Sequence, residues 1–258
     1  MAKLGIAFGS GGAKGIAHLG VWQALNENGI KADVVTGCSA GSVVAACYAM
    51  QKTPQWVFDQ AKKLKQSDFA DLSFNPFKNR AVFKAEKMRA VFEKYFKGVV
   101  IEKLKTPFAA VAADLISGKL YEFTQGDVFT AVLASCSIPI AFPPVEYDGM
   151  LLTDGGILVR TPVKTAKKLG ADKVIAVDVN AAIASDYAVK GVLSIALRCV
   201  DVMDHRTARS GTDAAADVVI RPKLADADQY KVERLGEIFE RGYTSAIKAL
   251  DKIKRLLD

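Results

Sequence analysis

The sequence predicts an α/β protein built on a mostly parallel sheet covered on both faces by helices. Two observations carry that expectation. Short β-branched or apolar runs alternate with stretches of helical pattern along nearly the whole chain, which is how strand-helix-strand units read. Two strand-to-helix junctions are also glycine-rich, Gly9-Ser10-Gly11-Gly12-Ala13-Lys14-Gly15 and Gly37-Cys38-Ser39-Ala40-Gly41. Sharp reversals of this kind need residues without side chains.

In order, Lys3 to Phe8 is a short β-like run, followed by the first glycine loop and a helical stretch from Ile16 to Asn28. Val34 and Val35 are β-branched and lead into the second glycine-rich turn, after which Ser42 to Met50 is Ala-rich and suits a buried helix. From Pro54 to about Lys105 the pattern is helical, broken at Phe74-Asn75-Pro76-Phe77 where Asn-Pro punctuates strongly. This segment is expected to be a helical cap, at about 52–105, inserted between core strands. Pro107 to Ala113 resumes an apolar strand and Leu120 to Phe123 gives another, with Ser117-Gly118 as the turn between them. Asp127 is placed to cap a helix running to Cys136. The stretch Ser137 to Val145 holds too many prolines for regular structure, and Glu146 to Asp154 alternates around Asp148-Gly149 as a hairpin does. A helix from Pro162 to Leu169, a strand from Lys173 to Val179, a helical segment around Val192 to Arg209, a strand from Val218 to Arg221 and a helix from Leu235 to Leu257 complete the pattern.

A chain of 258 residues buries a full core as one α/β domain, and 1–258 is expected to be one. The sequence has no 18-residue apolar run, so no membrane-spanning helix is expected. The apolar run Leu4 to Phe8 is too short for a signal-peptide core, and a cytoplasmic protein is expected. Cys38, Cys47, Cys136 and Cys199 show no C-x-x-C spacing and sit among apolar residues, which points to buried free thiols. The net charge is +7, and Lys52 to Lys105 alone holds 13 basic against 6 acidic residues, so the whole excess falls there. Aromatic residues interleave with those lysines, a mixture that suits an anionic lipid surface or helices with aromatic core faces and solvated lysines.

G-x-S-x-G between a strand and a helix has the form of a nucleophile elbow. Gly37 and Gly41 make the reversal, Ser39 is carried at its tip, and the positive end of the following helix faces it. The first glycine loop fits neither nucleotide motif: a dinucleotide fingerprint from Gly9 and Gly11 needs glycine at Lys14, and a P-loop needs Gly-Lys-Ser/Thr. It suits an oxyanion loop, which Lys14 would fix unless it is simply solvated. Serine needs a base. The order Ser39, Asp154, His205 allows a Ser-His-Asp triad, although His205 lies in a helix-like run; His18, on the first helix, reads as capping or packing. The alternative is a two-residue site in which a partly desolvated Asp154 takes the proton from Ser39 directly.

With these three features in place, the sequence resembles the patatin-like phospholipase family from about Gly5 to Val179. In that family a G-G-G-x-R/K-G loop forms the oxyanion hole, G-x-S-x-G carries the nucleophile, and D-G-G/A carries the aspartate of a Ser-Asp dyad. The resemblance implies Ser39 as nucleophile, Asp154 as base with Gly155 and Gly156 completing its motif, and Gly11, Gly12, Lys14 and Gly15 as the oxyanion loop. Ile138-Pro139 and Phe142-Pro143-Pro144-Val145 also look like the family's stretch before its aspartate. Ser10 departs from the pattern, standing where the first loop glycine is usual. The resemblance further implies an α/β/α sandwich and hydrolysis of phospholipid, lysophospholipid or other lipid esters, with no metal or cofactor and no nucleic-acid partner. From the basic and aromatic segment 52–105, peripheral contact with the anionic inner face of a membrane is the most that is expected. An acyltransferase using the same dyad and a triad carboxylesterase are the alternatives.

Overall fold

The computed structural model describes residues 2–69, 71–73, 78, 80–181, 191–192, 194–202, 215–227, 232 and 234–258. Among them the strands are β1 Leu4–Phe8, β2 Val34–Cys38, β3 Phe108–Asp114, β4 Leu120–Phe123, β5 Val145–Tyr147, β6 Met150–Asp154, β7 Lys173–Val177 and β8 Val218–Ile220. The helices are α1 Ile16–Glu27, α2 Ala40–Ala49, α3 Pro54–Ala61, α4 Glu86–Phe96, α5 Val128–Ser135, α6 Val163–Lys168 and α7 Leu235–Leu257, with residues 194–202 also helical. The helical segment expected to reach Arg209, the base candidate His205 and the proline break at Phe74 to Phe77 lie at least partly outside the described residues.

The strands form one eight-stranded sheet in the order β5-β6-β3-β2-β1-β7-β8, with β4 paired to β3 off that path. β1, β2, β3, β7 and β8 run parallel. β4 and β6 are antiparallel to β3, and β5 to β6, so the sheet is mostly parallel, as expected, and mixed at one side. Every residue of β1, β2 and β3 is buried, as continuous apolar strands covered on both faces must be. Alternation assigns the faces. Ile6, Phe8, Val35, Ile175 and Val177 pack with α1, α2, α5 and α7, whereas Ala7, Val34, Val174 and Ala176 pack under α6. The result is a three-layer α/β/α arrangement.

Parallel pairing puts the carboxyl ends of β1, β2 and β7 side by side, with Phe8 opposite both Gly37 and Val177. Clefts of open α/β sheets form outside these ends. β6 arrives from the opposite direction, so its last residue Asp154 lies level with Ala112 of β3. Gly155 packs against the Val111 carbonyl, and Val111 is opposite Cys38. An antiparallel strand thus delivers an acid beside the end of β2.

The segment 52–105 leaves after α2 and returns to β3. Its helix α4 buries Met88, Phe92 and Phe96 at four-residue spacing, the stripe of a helix that packs by one face. The rings of Trp56 and Tyr95 meet edge to face at 5.9 Å, and Phe58 packs on Phe239 of α7. The aromatics named here are therefore turned toward the protein. An irregular stretch of this segment joins the proline-rich loop, with Val82 N–H donating to the Ile140 carbonyl and Phe83 N–H to that of Ala141. Of the cysteines, Cys38, Cys47 and Cys136 are buried free thiols, but Cys199, expected to be buried, is exposed: it lies two residues from buried Leu197 and so on the other side of the helical stretch 194–202.

Candidate active site

Ser39 stands between β2 and α2 with φ 52° and ψ −126°, outside the conformations that side-chain-bearing residues favour, at a cost of roughly 1–3 kcal/mol. The turn is as tight as the glycines allow. A Cβ at Gly37 would lie 2.3 Å from the Gly41 carbonyl oxygen, and one at Gly41 would lie 2.2 Å from that of Phe8. Ser39 N–H donates to Ser135 Oγ at 2.9 Å, and Ser135 Oγ donates in turn to the Val111 carbonyl at 2.7 Å. Ser42 Oγ donates to the Ser39 carbonyl at 2.7 Å. The strained residue is thus held from three elements.

Asp154 is buried, and its Oδ1 accepts from Gly156 N–H at 2.8 Å and from the Cys38 thiol at 3.6 Å. Its backbone N–H donates to the Ser137 carbonyl. Burial raises its pKa to about 6, against the pull of the Ser39 hydroxyl, the Gly156 N–H, Cys38 and the Arg160 charge. Desolvation of the carboxylate makes it a stronger base than one in water. Gly156 admits no larger residue easily: a Cβ there would lie 3.0 Å from Asp154 Oδ1.

The first glycine loop begins at Gly9, whose N–H donates to Val177, and Ser10 N–H donates to the Arg160 carbonyl. Gly12 has φ 53°, a backbone that favours glycine. Gly11 and Gly15 are closed in from outside the loop: a Cβ at Gly11 would lie 2.4 Å from Val179 Cγ2, and one at Gly15 would lie 2.7 Å from Ala40 Cβ. Lys14 is not solvated. It is buried, and its Nζ donates to Asn180 Oδ1 at 3.1 Å. Ser10, Gly12, Ser39, Asp154 and Gly156 line one cleft of about 50 Å³ with Ile138, Pro139 and Asn180. Gly11, Lys14 and Gly15 belong to the same loop, with Gly11 packed against Val179, Gly15 against Ala40 and Lys14 buried. His18 bonds to the Gly9 carbonyl, so it packs within the core.

Three contributors escaped the sequence reading: Ser135, Arg160 and Asn180. Arg160 is buried, and its Nη1 donates to the Asn180 carbonyl at 2.6 Å. The sequence offered only an arginine six residues after Asp154 of the Asp-Gly-Gly turn and an asparagine just beyond a strand. Neither has a pattern of its own.

A family model described as patatin-like phospholipase matches residues 6–167. An uncharacterized NTE family protein of Mycobacterium tuberculosis is 38% identical over 178 residues, 69% of this chain and 49% of that protein. Patatin-like phospholipase domain-containing protein 7 of Rattus norvegicus is 31% identical over 187 residues, 69% of this chain and 14% of that protein. The chain therefore spans about half the length, or less, of these curated relatives. Among solved structures, VipD from Legionella pneumophila is similar with a TM-score of 0.55 at 15% identity, covering 97% of this chain and 67% of that one. ExoU of Pseudomonas aeruginosa, solved in complex with SpcU, gives a TM-score of 0.51 at 16% identity, over 97% and 52% of the two chains. At such identities the likeness is one of fold.

Proposed function

The chain belongs to the patatin-like phospholipase family, and on that premise we propose that it hydrolyses lipid acyl esters with Ser39 as nucleophile and Asp154 as base. The observation that carries this reading is the meeting of a strained, elbow-borne Ser39 and a buried Asp154 of raised pKa in one cleft with Gly12.

Ser39 Oγ attacks the ester carbonyl carbon while its proton passes to Asp154. Charge develops on the former carbonyl oxygen, and the N–H groups of Gly11 and Gly12, with the N-terminus of α2, are the donors that would hold it. Collapse breaks the bond to the leaving alcohol, which takes the proton from Asp154. Water then attacks acyl-Ser39, again with Asp154 accepting a proton and returning it to Ser39. Phospholipids and lysophospholipids are the substrates this reading favours. Transfer to another alcohol would use the same residues.

Among the described residues no helix is long and apolar enough to cross a membrane; the contact proposed with a bilayer is peripheral. The basic segment 52–105 is the surface proposed for it. Its named rings face inward, which leaves the lysines to meet anionic head groups.

The test is a panel of p-nitrophenyl esters and phospholipids, with a fluorophosphonate probe, on wild type and Ser39→Ala. Wild type should turn over esters and be labelled, and Ser39→Ala should do neither. Labelling that persists at another serine overturns the nucleophile assignment. His205→Ala, alongside, should retain most of the activity; a loss as deep as that of Asp154→Asn in a folded protein would favour the triad.

A further inference from the structure

His18 lies in the first turn of α1, fully buried, with its ring edge-on to Phe8 at 5.3 Å. Its Nε2 is 2.7 Å from the Gly9 carbonyl oxygen. A carbonyl only accepts, so Nε2 carries the hydrogen and donates. The other ring nitrogen, Nδ1, has no hydrogen-bond partner among the described residues. A second proton would place an unpaired N–H and a charge in the core, and burial accordingly pushes the pKa down to about 4. His18 is a neutral donor at neutral pH.

What it donates to is the peptide unit at which β1 becomes the glycine loop. The C=O of that unit belongs to Gly9 and is held by His18; its N–H belongs to Ser10 and donates to the Arg160 carbonyl at 3.0 Å. The plane is therefore fixed at both ends. Gly9 is also closed in from the side, since a Cβ there would lie 2.8 Å from Thr161 Oγ1 and 2.9 Å from the Val177 carbonyl oxygen. Gly11 and Gly12 follow within three residues of this clamp, and Gly12 shares its cleft with Ser39 and Asp154.

We propose that His18 is a positioning residue: its Nε2–H clamps the Gly9–Ser10 peptide plane and so aims the N–H groups of Gly11 and Gly12 at the oxyanion formed beside Ser39. This rests on the acyl-hydrolase reading above. His18 acts through the loop and exchanges no proton with substrate.

The experiment compares wild type, His18→Leu, which removes the donor, and His18→Gln, which keeps an amide N–H at similar reach. On a soluble p-nitrophenyl ester, His18→Leu should lower kcat by about 10²-fold, the scale of a small misplacement of reacting groups. KM should hardly move, because the lost interaction belongs to the transition state. Fluorophosphonate inactivation should slow in parallel, and His18→Gln should recover most of both. The limb of the pH–rate profile near 6, which belongs to Asp154, should stay in place. Amide hydrogen exchange across residues 9–15 should quicken in His18→Leu and return in His18→Gln. Loss of the pH limb in His18→Leu would make His18 the base and overturn the proposal, as would a His18→Leu protein with wild-type turnover and exchange. If His18→Leu does not fold, His18→Gln decides alone: exchange and turnover near wild type support the clamp, and a deep loss of either in a folded protein overturns it. A wild type inert toward esters would remove the hydrolase reading, while the exchange data would still decide whether His18 holds the loop.

Discussion

With Asp154 as the proposed base, activity and stability pull apart at one residue. Its carboxyl has an ordinary pKa of 3.8 and is raised to about 6 in the folded protein, mainly by burial. The folded state thus holds its proton more tightly than the unfolded chain. Stability from this group is fully present below pH about 4 and is lost as the pH rises through about 6. Above that, a buried carboxylate is carried at a cost of a few kcal/mol, on the scale of about 1.4 kcal/mol per pH unit. Asp154→Asn should therefore melt at a higher temperature than wild type at pH 8, with the advantage gone near pH 4, while hydrolysis falls by at least about 10²-fold. Thermal melts at the two pH values check the sign: a variant less stable than wild type at pH 8 would mean that neighbouring dipoles outweigh desolvation. Wild-type activity should rise through about pH 6 as Asp154 ionises. Ser39 and Asp154 were legible because each sits among glycines that a sharp turn demands. Ser135 was not, because a serine at the end of an apolar helix has no local signature; its role comes from β3 and α2 meeting there.

Among elements, the largest feature hidden from the sequence is the pairing of α1 with α7. The two helices cross at a pair of glycines: a Cβ at Gly20 would lie 2.0 Å from the Phe239 carbonyl oxygen, and one at Gly242 would lie 2.0 Å from that of Ala17. Tyr243 Oη donates to Glu27 across the same crossing. Backbone cannot yield as a flexible side chain can, so Gly242→Ala should destabilise by at least the roughly 1–3 kcal/mol typical of overpacking. A fall in the urea midpoint at unchanged slope would measure it; an unaltered midpoint would show that the helices slide apart freely. Strand and helix identities were readable from period and punctuation, and α4 announced its buried face through Met88, Phe92 and Phe96. Strand order was not readable. It depends on pairings such as β3 with β6 that join segments about forty residues apart; the turns at Ser117-Gly118 and Asp148-Gly149 mark β4 against β3 and β5 against β6 as antiparallel, but nothing local places β6 beside β3.

Across the whole molecule, charge and fold meet at the cap. Residues 52–105 hold the entire excess of +7, and they touch the cleft wall through the bonds from Val82 and Phe83 to Ile140 and Ala141. Ile138 and Pro139, just before those acceptors, line the cleft itself. A surface that engages the cap is thereby joined to the cleft that the proposed function assigns to a lipid ester. The aromatic rings named above do not supply the attraction, since Trp56, Phe58 and Tyr95 pack against other rings of the protein. Lys63, Lys65, Lys87 and Lys94 are exposed, and each basic residue near an anionic surface is worth about 1 kcal/mol. Wild type should therefore sediment with anionic vesicles at low salt, release them as salt rises and the Debye length shortens, and bind neutral vesicles weakly. Replacing those four lysines by glutamine should weaken anionic binding by about 10²-fold or more while leaving soluble-ester turnover and melting temperature near wild type. Equal affinity for both lipid types, or a quadruple variant that binds like wild type, would return the segment to an ordinary solvated cap, and the lysines would then serve only to keep its outer face in water.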